Sequence, residues 1–561
     1  VYNIADRTAP VLAAQHSQDG RVVSSREKDG WLYVISEKDS MTFGIWELDQ
    51  APVRINTIPG PDGAAQDGGE NEDEPVSGLS ETEMKCLPKA DGELLPANRI
   101  YFSEEYGSSA YTIVTSIRLS EPDCFADSLS FMTGSSGCYV SAEAVYLTAY
   151  DWMPNFELES VWELDEEGDT EAAKKEKTET GEVSKEEIPE TKNTGENEGT
   201  QNSTEAGGNS GEDSSDRTRI IKLGYADGKL SVLAQGSVKG SIDSQFSMDE
   251  RNGYLRLVTT VEHYGPAEDE EYSWREYKGR TNSLYVLDSE LRTAGALENL
   301  AEDESIYSAR FLGNIAYFVT YRNTDPLFSV DLTDPEHPRL LGALKLPGFS
   351  DYLQPYGDGM LLGIGYDTDE AGNATGCIKL TMFDITDPVN VVEKHTLILH
   401  EFSGSEACWN HKSVLASRER DLIGLPAEGY DYFDDGERYG SIYTKAYLVY
   451  GYDGERGFYP RLQKEYVNRW TGGRYTIEPV FEESAPDAGG KAGETGISQG
   501  GLSGGQSDET DMDRDSWYAL RMRGIYIGDY LYVVNTEMEV ISCRTEQERL
   551  EEYGRLNLRL R

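Results

Sequence analysis

Cysteine and histidine are scarce in this chain, and the shortage limits its chemistry. There are six of each among 561 residues. The cysteines (Cys86, Cys124, Cys138, Cys377, Cys408 and Cys543) form no CxxC pair, and no HExxH occurs, so no metal-ligand spacing is present. Only Cys124 and Cys138 lie close enough in sequence to form the one bridge that is expected at most. Basic residues are also few, with 51 Lys and Arg against 102 Asp and Glu and a net charge of −51. That balance argues against binding nucleic-acid backbones or anionic membrane surfaces. No apolar run reaches the roughly 18 residues of a membrane-spanning helix. The chain opens on Val in mid-strand, without Met or signal peptide, and is expected to be the soluble part of something longer.

Nucleophile motifs are equally sparse. Ser350 in GFSDY and Ser403 and Ser405 in FSGSE lack the G-x-S-x-G pattern. GISQG at Ser498 and GLSGG at Ser503 match it in letters, but no strand precedes them and no helix follows. No glycine-rich phosphate loop lies between a strand and a helix. No cofactor is therefore expected, and catalysis is not evident.

What the chain does hold is 35 Tyr, 57 Gly and many short apolar runs, a composition that favours strands and turns. Three segments, 61–93, 157–216 and 482–515, are too polar to pack and are expected to be disordered acidic insertions. They hold about 30 of the net negative charges, so the remaining scaffold is only moderately acidic. With these set aside, a rhythm recurs. Continuous apolar strands such as WLYVIS, AVYLTAY, IAYFVTY and YLYVVN each follow a more polar strand. Each is followed by a strand ending near Asp and then by a fourth strand. SVDLTDPEHPRLLGALKLPG, from Ser329 to Gly348, is the outer half of one such unit. In it Asp331, Asp334 and Pro335 set the turn. Four-stranded units repeating every 45 to 60 residues or so predict an all-β propeller of seven blades. An eighth remains open because VYNIADRTAPVLAAQ supplies two strands of an incomplete blade. A sandwich or solenoid is the rival architecture.

These strings carry a resemblance. SQFSMDERNGYLRLVTT, SLYVLDSELRTAGAL, the block from Glu304 to Gly365, and LTMFDITDP resemble the secreted bacterial proteins with a C-terminal β-propeller domain, distantly related to WD-repeat propellers. Gln354 stands where that family tends to have His, and Asn410 where Asp is usual. The resemblance implies export, an N-terminal membrane anchor outside this chain, and life on the outer face of a Gram-positive cytoplasmic membrane. It implies no reaction.

Propellers bind ligands at the channel lined by their innermost strands and at its rims. Counting along the polar strands places Arg26, Glu27, Asp249, Glu250, Arg310, Gln354, Tyr356, His411 and Lys412 at comparable inner positions. Such a ring could hold a polar ligand; alternatively, its charges pair with one another around a wet channel. DTDEAGNATG offers Asp367 and Asp369 at the spacing of a calcium loop, but Ala371 and Ile378 stand where further ligands belong. A solvated turn is the competing reading. Tyr430, Tyr432, Phe433, Tyr439, Tyr443 and Tyr447 form an aromatic, acidic segment, expected to be either a docking platform or a hairpin packing its own rings. The reading that follows is a monomeric extracellular binding module for a protein, peptide or glycan. The alternatives are a hydrolase or lyase acting on an extracellular polymer through the channel, and a purely structural envelope role.

Overall fold

A computed structural model describes residues 1–39, 56–57, 85–151, 216–480 and 520–557, apart from loop positions 7–8, 103–109, 133–136, 267–274, 322–324, 347, 370, 435–438, 472–473 and 537–538. The described strands form seven sheets of four to six strands, in chain order, and two two-stranded sheets. One of the latter pairs Tyr2–Asn3 with Val11–Leu12, the two strands expected at the start of the chain. The third to fifth sheets and the seventh are simple antiparallel meanders of four strands. The fourth, for example, runs Ser305–Leu312, Ile315–Tyr321, Asp325–Asp331 and Arg339–Leu346.

The continuous apolar runs fall on strands that are covered on both faces, as their lack of alternation requires. Along Ile315–Tyr321, Ala316 and Phe318 enter a cluster shared with Val258 and Leu284 of the third sheet. Tyr317 and Val319 point the other way, into a cluster shared with Leu353 and Leu361 of the fifth. Similar clusters join the first sheet to the second, the second to the third, the fifth to the sixth and the sixth to the seventh. Each fully buried Leu, Ile or Phe contributes about 2 kcal/mol, so consecutive sheets hold one another in a radial stack. Among the described residues, Val22 of the first sheet and Ile527 and Leu556 of the seventh are exposed.

The Asp/Pro turns have a second task besides reversing the chain. Asp331 Oδ1 accepts a hydrogen bond from the Thr333 amide (2.9 Å) and Asp334 Oδ1 from the Glu336 amide (3.1 Å). The turn so fixed lies against Gly295 in the fourth strand of the preceding sheet, where a Cβ would meet Pro335 O at 2.4 Å. The next turn lies against Gly342 in the same way, with Val389 O at 2.8 Å. Ser329 Oγ adds a hydrogen bond to Pro388 O (2.5 Å). Repetition of the turn and repetition of this glycine are thus one feature, the contact between neighbouring blades.

Several sequence expectations need correction. The first sheet gains two strands in parallel pairing, Ile100–Phe102 against Phe125–Met132 and Asn56–Thr57 against Ile100–Phe102. ACWNHK is not a strand: it forms the 3-10 turns Glu406–Cys408 and His411–Ser413, and the strand begins at Leu415. Within the first expected insertion, Lys89–Ala90 pairs with Glu93–Leu94, and Asp91 binds His16 Nδ1 (2.7 Å) and the Ser17 amide (2.8 Å). Asp216, placed in the second insertion, is buried and accepts hydrogen bonds from Tyr150 Oη (2.7 Å) and the Glu262 amide (2.9 Å). The rest of the three segments, with Ser498 and Ser503, lies outside the described residues. All six cysteines are free thiols, so the Cys124–Cys138 bridge is not formed.

Candidate functional site

The inner ends of the third to sixth sheets meet around one side chain, Phe246. The short turn Gln245–Ser247 precedes the third sheet's inner strand, Met248–Arg251, and turns Phe246 away from its own sheet. The ring packs against the core shared by the fifth and sixth sheets. It meets Tyr352 edge-on at 5.5 Å and His411 edge-on at 4.9 Å. The Arg310 guanidinium, from the fourth sheet's inner strand, lies 3.7 Å above its centroid. Such a partly desolvated cation–π contact is worth about 1–2 kcal/mol and fixes the arginine in place.

Arg310 is held entirely by neutral groups. Nε donates to Leu353 O (2.7 Å) and Nη2 to Tyr352 Oη (2.8 Å), and no carboxylate among the described residues pairs with it. Burial draws its pKa below the usual arginine value, with Tyr352 acting in the opposite sense. Tyr352 Oη donates onward to Gln354 Oε1 (2.7 Å), and Gln354 Nε2 donates to Pro355 O (3.1 Å). Gln354 therefore supports Tyr352 and, through it, Arg310.

The sixth sheet supplies the opposite wall. Ser405 Oγ caps the first 3-10 turn by accepting from the Ala407 amide, and Asn410 Oδ1 caps the second by accepting from the Lys412 amide. Asn410 Nδ2 donates to Glu406 Oε1 (2.6 Å), which also receives Arg523 Nη2 (2.5 Å) from the seventh sheet. Burial opposes ionisation of Glu406, but these two partners outweigh it and hold the carboxyl below its ordinary range. The two turns leave Trp409 74% exposed and present His411 and Lys412 beside it. Burial, Lys412 and Arg310 together lower the His411 pKa, so the imidazole is neutral at pH 7.

Two carboxyls at this hub escaped the sequence reading. Burial pushes Asp351 up to about 7, against a hydrogen bond with Cys408 and with the Asp243 charge adding to it. Asp243 stands open to solvent yet is crowded by protein, which pushes it up to about 6. Burial also drives the Cys408 thiol far above its ordinary value, so it is no thiolate nucleophile. Each Asp lies just before or within an inner strand, in SIDSQF and FSDYL, a position a blade-by-blade alignment could have singled out.

The other expected inner residues do not join this site, nor do they pair around a channel. Asp249 binds Arg256 of the adjacent strand, and Arg256 Nη1 continues to Gly313 O (2.9 Å). Glu250 is bonded to Ser141 Oγ and lies 3.4 Å from Lys222 Nζ. Arg26 reaches Val140 O at 3.4 Å, and Glu27 accepts from the Gly30 amide in its own turn (2.8 Å). Tyr356 is buried in the core between the fifth and sixth sheets, its hydroxyl directed to Asp421 (3.3 Å). In each case a neighbour on the same or adjacent sheet satisfies the group. Of the nine, the structure gathers Arg310, Gln354, His411 and Lys412.

The calcium pattern reads as a turn. Asp369 Oδ1 accepts from the Ala371 (2.9 Å) and Asn373 (2.8 Å) amides, and Asp367 Oδ2 accepts from Thr375 Oγ1 (3.1 Å). These hydrogen bonds use the oxygens a cation would need. Among the described residues no three His, Cys, Asp or Glu side chains converge as a metal site would require. The aromatic segment forms the distal part of a long hairpin between Leu422–Asp434 and Tyr439–Asp453. Tyr447 is buried there, whereas Tyr430, Tyr432 and Tyr439 are exposed. A crevice of about 10 Å³ between the fourth and fifth sheets, lined by Val319, Leu327 and Phe383, is separate from Phe246 and has room for no more than a water molecule.

Comparison with known proteins agrees with this architecture. An uncharacterised protein of Archaeoglobus fulgidus is 39% identical over 212 residues, which is 38% of this chain and 30% of that protein. An uncharacterised protein of Methanocaldococcus jannaschii is 38% identical over 200 residues, 36% of this chain and 29% of its own length. The matched part of the chain thus spans under a third of either archaeal relative. The model of the beta propeller domain family matches residues 1–545, and the chain belongs to that family.

Proposed function

We propose that this β-propeller is a binding module whose ligand site is the mouth of the hub around Phe246. The observation that carries the reading is Trp409. A large aromatic left 74% exposed, on the turn whose His411 packs on the Phe246 ring that also carries Arg310, is a contact surface ready for a partner. The ligand is an extracellular protein, peptide or glycan, bound by a monomer tethered at the cell surface. Protease shaving of intact cells tests that placement: the protein should be cleaved without lysis. Screening the purified chain against cell-wall fragments, glycans and peptides tests the site. Trp409→Ala should weaken every ligand found by about tenfold, the range for losing a stacked aromatic anchor. Ligands that bind the variant as well as the wild type would move the site elsewhere, for instance to Tyr430 and Tyr432.

A second reading draws on Asp243 and Asp351. Two carboxyls from different blades, both raised toward neutrality, suit general acid–base work on an extracellular polymer. Turnover of a polymer from the same screen, lost in Asp351→Asn with the fold intact, would replace the binding reading with a hydrolase or lyase.

A further inference from the structure

Two cations of the hub, Arg310 and Lys412, form no ion pair among the described residues, although the hub also holds Asp243, Asp351 and Glu406 and the chain carries twice as many acidic as basic residues. Arg310 is half-buried, its Nε and Nη2 are used by Leu353 O and Tyr352 Oη, and Nη1 has no protein partner among the described residues. Lys412, exposed and next to the His411 that packs on Phe246, forms no ion pair among the described residues either. A guanidinium withdrawn from water without a counter-ion is costly unless something else supplies the charge. With acidic side chains so abundant, leaving these two cations unmatched marks a place for an anion from outside. The same wall presents the open face of Trp409, and the Gln245 amide, whose contacts to His411 are long at 3.4 and 3.5 Å, has hydrogen-bonding capacity left.

We propose that the hub binds a carboxylate-bearing sugar, a uronic acid unit. Its carboxylate would be met by Arg310 and Lys412, its ring face would lie on Trp409, and a hydroxyl would bond to Gln245. This rests on the binding-module reading and deepens it. The aromatic plane favours a sugar ring over an extended acidic peptide, because an aromatic face matches the apolar face of a pyranose. The net charge of −51 repels long polyanions, so the ligand is a short or terminal acidic unit rather than a charged polymer along its length.

The test is a calorimetric titration with digalacturonate, its dimethyl ester and the peptide acetyl-Glu-Glu-amide. The ester keeps the shape and removes the charge. The acid should bind the wild type at least tenfold more tightly than the ester, the scale of a charge-assisted hydrogen bond. Lys412→Gln, an exposed position that should leave the melting temperature unchanged, should lose most of that difference. Arg310→Gln should abolish it. Equal binding of acid and ester overturns the carboxylate assignment. Binding of the peptide through Lys412 without binding of digalacturonate overturns the sugar. No binding of any of the three overturns the inference. If other ligands from the screen still depend on Trp409, the module reading survives that failure.

Discussion

Substituting Gly295 by Ala tests whether the repeated turns hold neighbouring blades together. The new Cβ would stand 2.4 Å from Pro335 O, and 2.8 Å from both Glu336 O and Pro338 Cδ. Real Cβ contacts essentially never fall below about 3.0 Å, so atoms must move by more than half an ångström. These neighbours are turn backbone and a proline ring, braced by Asp331 and Asp334, with no flexible side-chain end among them to yield. Overpacking of this kind costs about 1–3 kcal/mol. The lower chain entropy of Ala in the unfolded state returns about 0.4–1 kcal/mol. The net loss is therefore about 1–2 kcal/mol, or roughly 1–2 °C in melting temperature for a chain of this size. Gly404→Ala is the control: a Cβ there meets nothing within 4 Å. It should change the melting temperature by less than about 1 °C, either way. Both variants would be compared by scanning calorimetry at one protein concentration. If Gly295→Ala melts with Gly404→Ala, the turn-on-glycine contact contributes nothing, and the repeat must be explained otherwise.

Other consequences follow from the same structure. Asp351 is raised from 3.8 to about 7, so between about pH 4 and pH 7 the folded protein holds a proton the unfolded chain releases. Stability is lost as pH rises through that window, by up to about 4 kcal/mol, and Asp351→Asn should flatten the slope and be the more stable form at pH 8. A melting-temperature series from pH 4 to 8 would read this, and parallel curves would refute it. Asp249→Ala should cost about 3 kcal/mol, because it leaves the buried Arg256 unpaired; denaturation of Arg256→Met as well should recover much of the loss. Asp369→Ala should lower stability by about 1 kcal/mol through loss of its turn hydrogen bonds. Millimolar calcium should leave the melting temperature of the wild type unchanged, and a calcium-dependent rise would restore the metal reading.

The strands were legible because burial leaves a local trace. A run such as IAYFVTY, apolar without a break from Ile315 to Val319, suits a strand with a core on each side, and its alternate residues do divide between two clusters. Turn chemistry was legible for the same reason, in Asp331, Asp334 and Pro335. What failed were places where distant residues decide. ACWNHK has strand-like composition, but Ser405 and Asn410 accept hydrogen bonds from the amides two residues on, Ala407 and Lys412, and fold it into turns. That signal was in the letters and was outweighed by the repeat. Phe246 read as one residue of a polar strand; only the meeting of four sheets reveals it as a pivot. Tyr356, two residues from Gln354, faces the core because a bulge between Pro355 and Gly357 interrupts the alternation. Asp216 shares the composition of the acidic insertion before it, and nothing local separates a buried anchor from a solvated acid. The supposed ring of charges dissolved into separate local pairs, since each group found a partner on the nearest strand.

The most direct test of the hub as a binding site is fluorine NMR on the protein labelled with 5-fluorotryptophan. The chain has eight Trp, and the Trp409 signal can be assigned by its disappearance in Trp409→Phe. On titration with digalacturonate, that signal should shift first and most. Binding seen by calorimetry with the Trp409 signal unmoved would place the site elsewhere on the propeller.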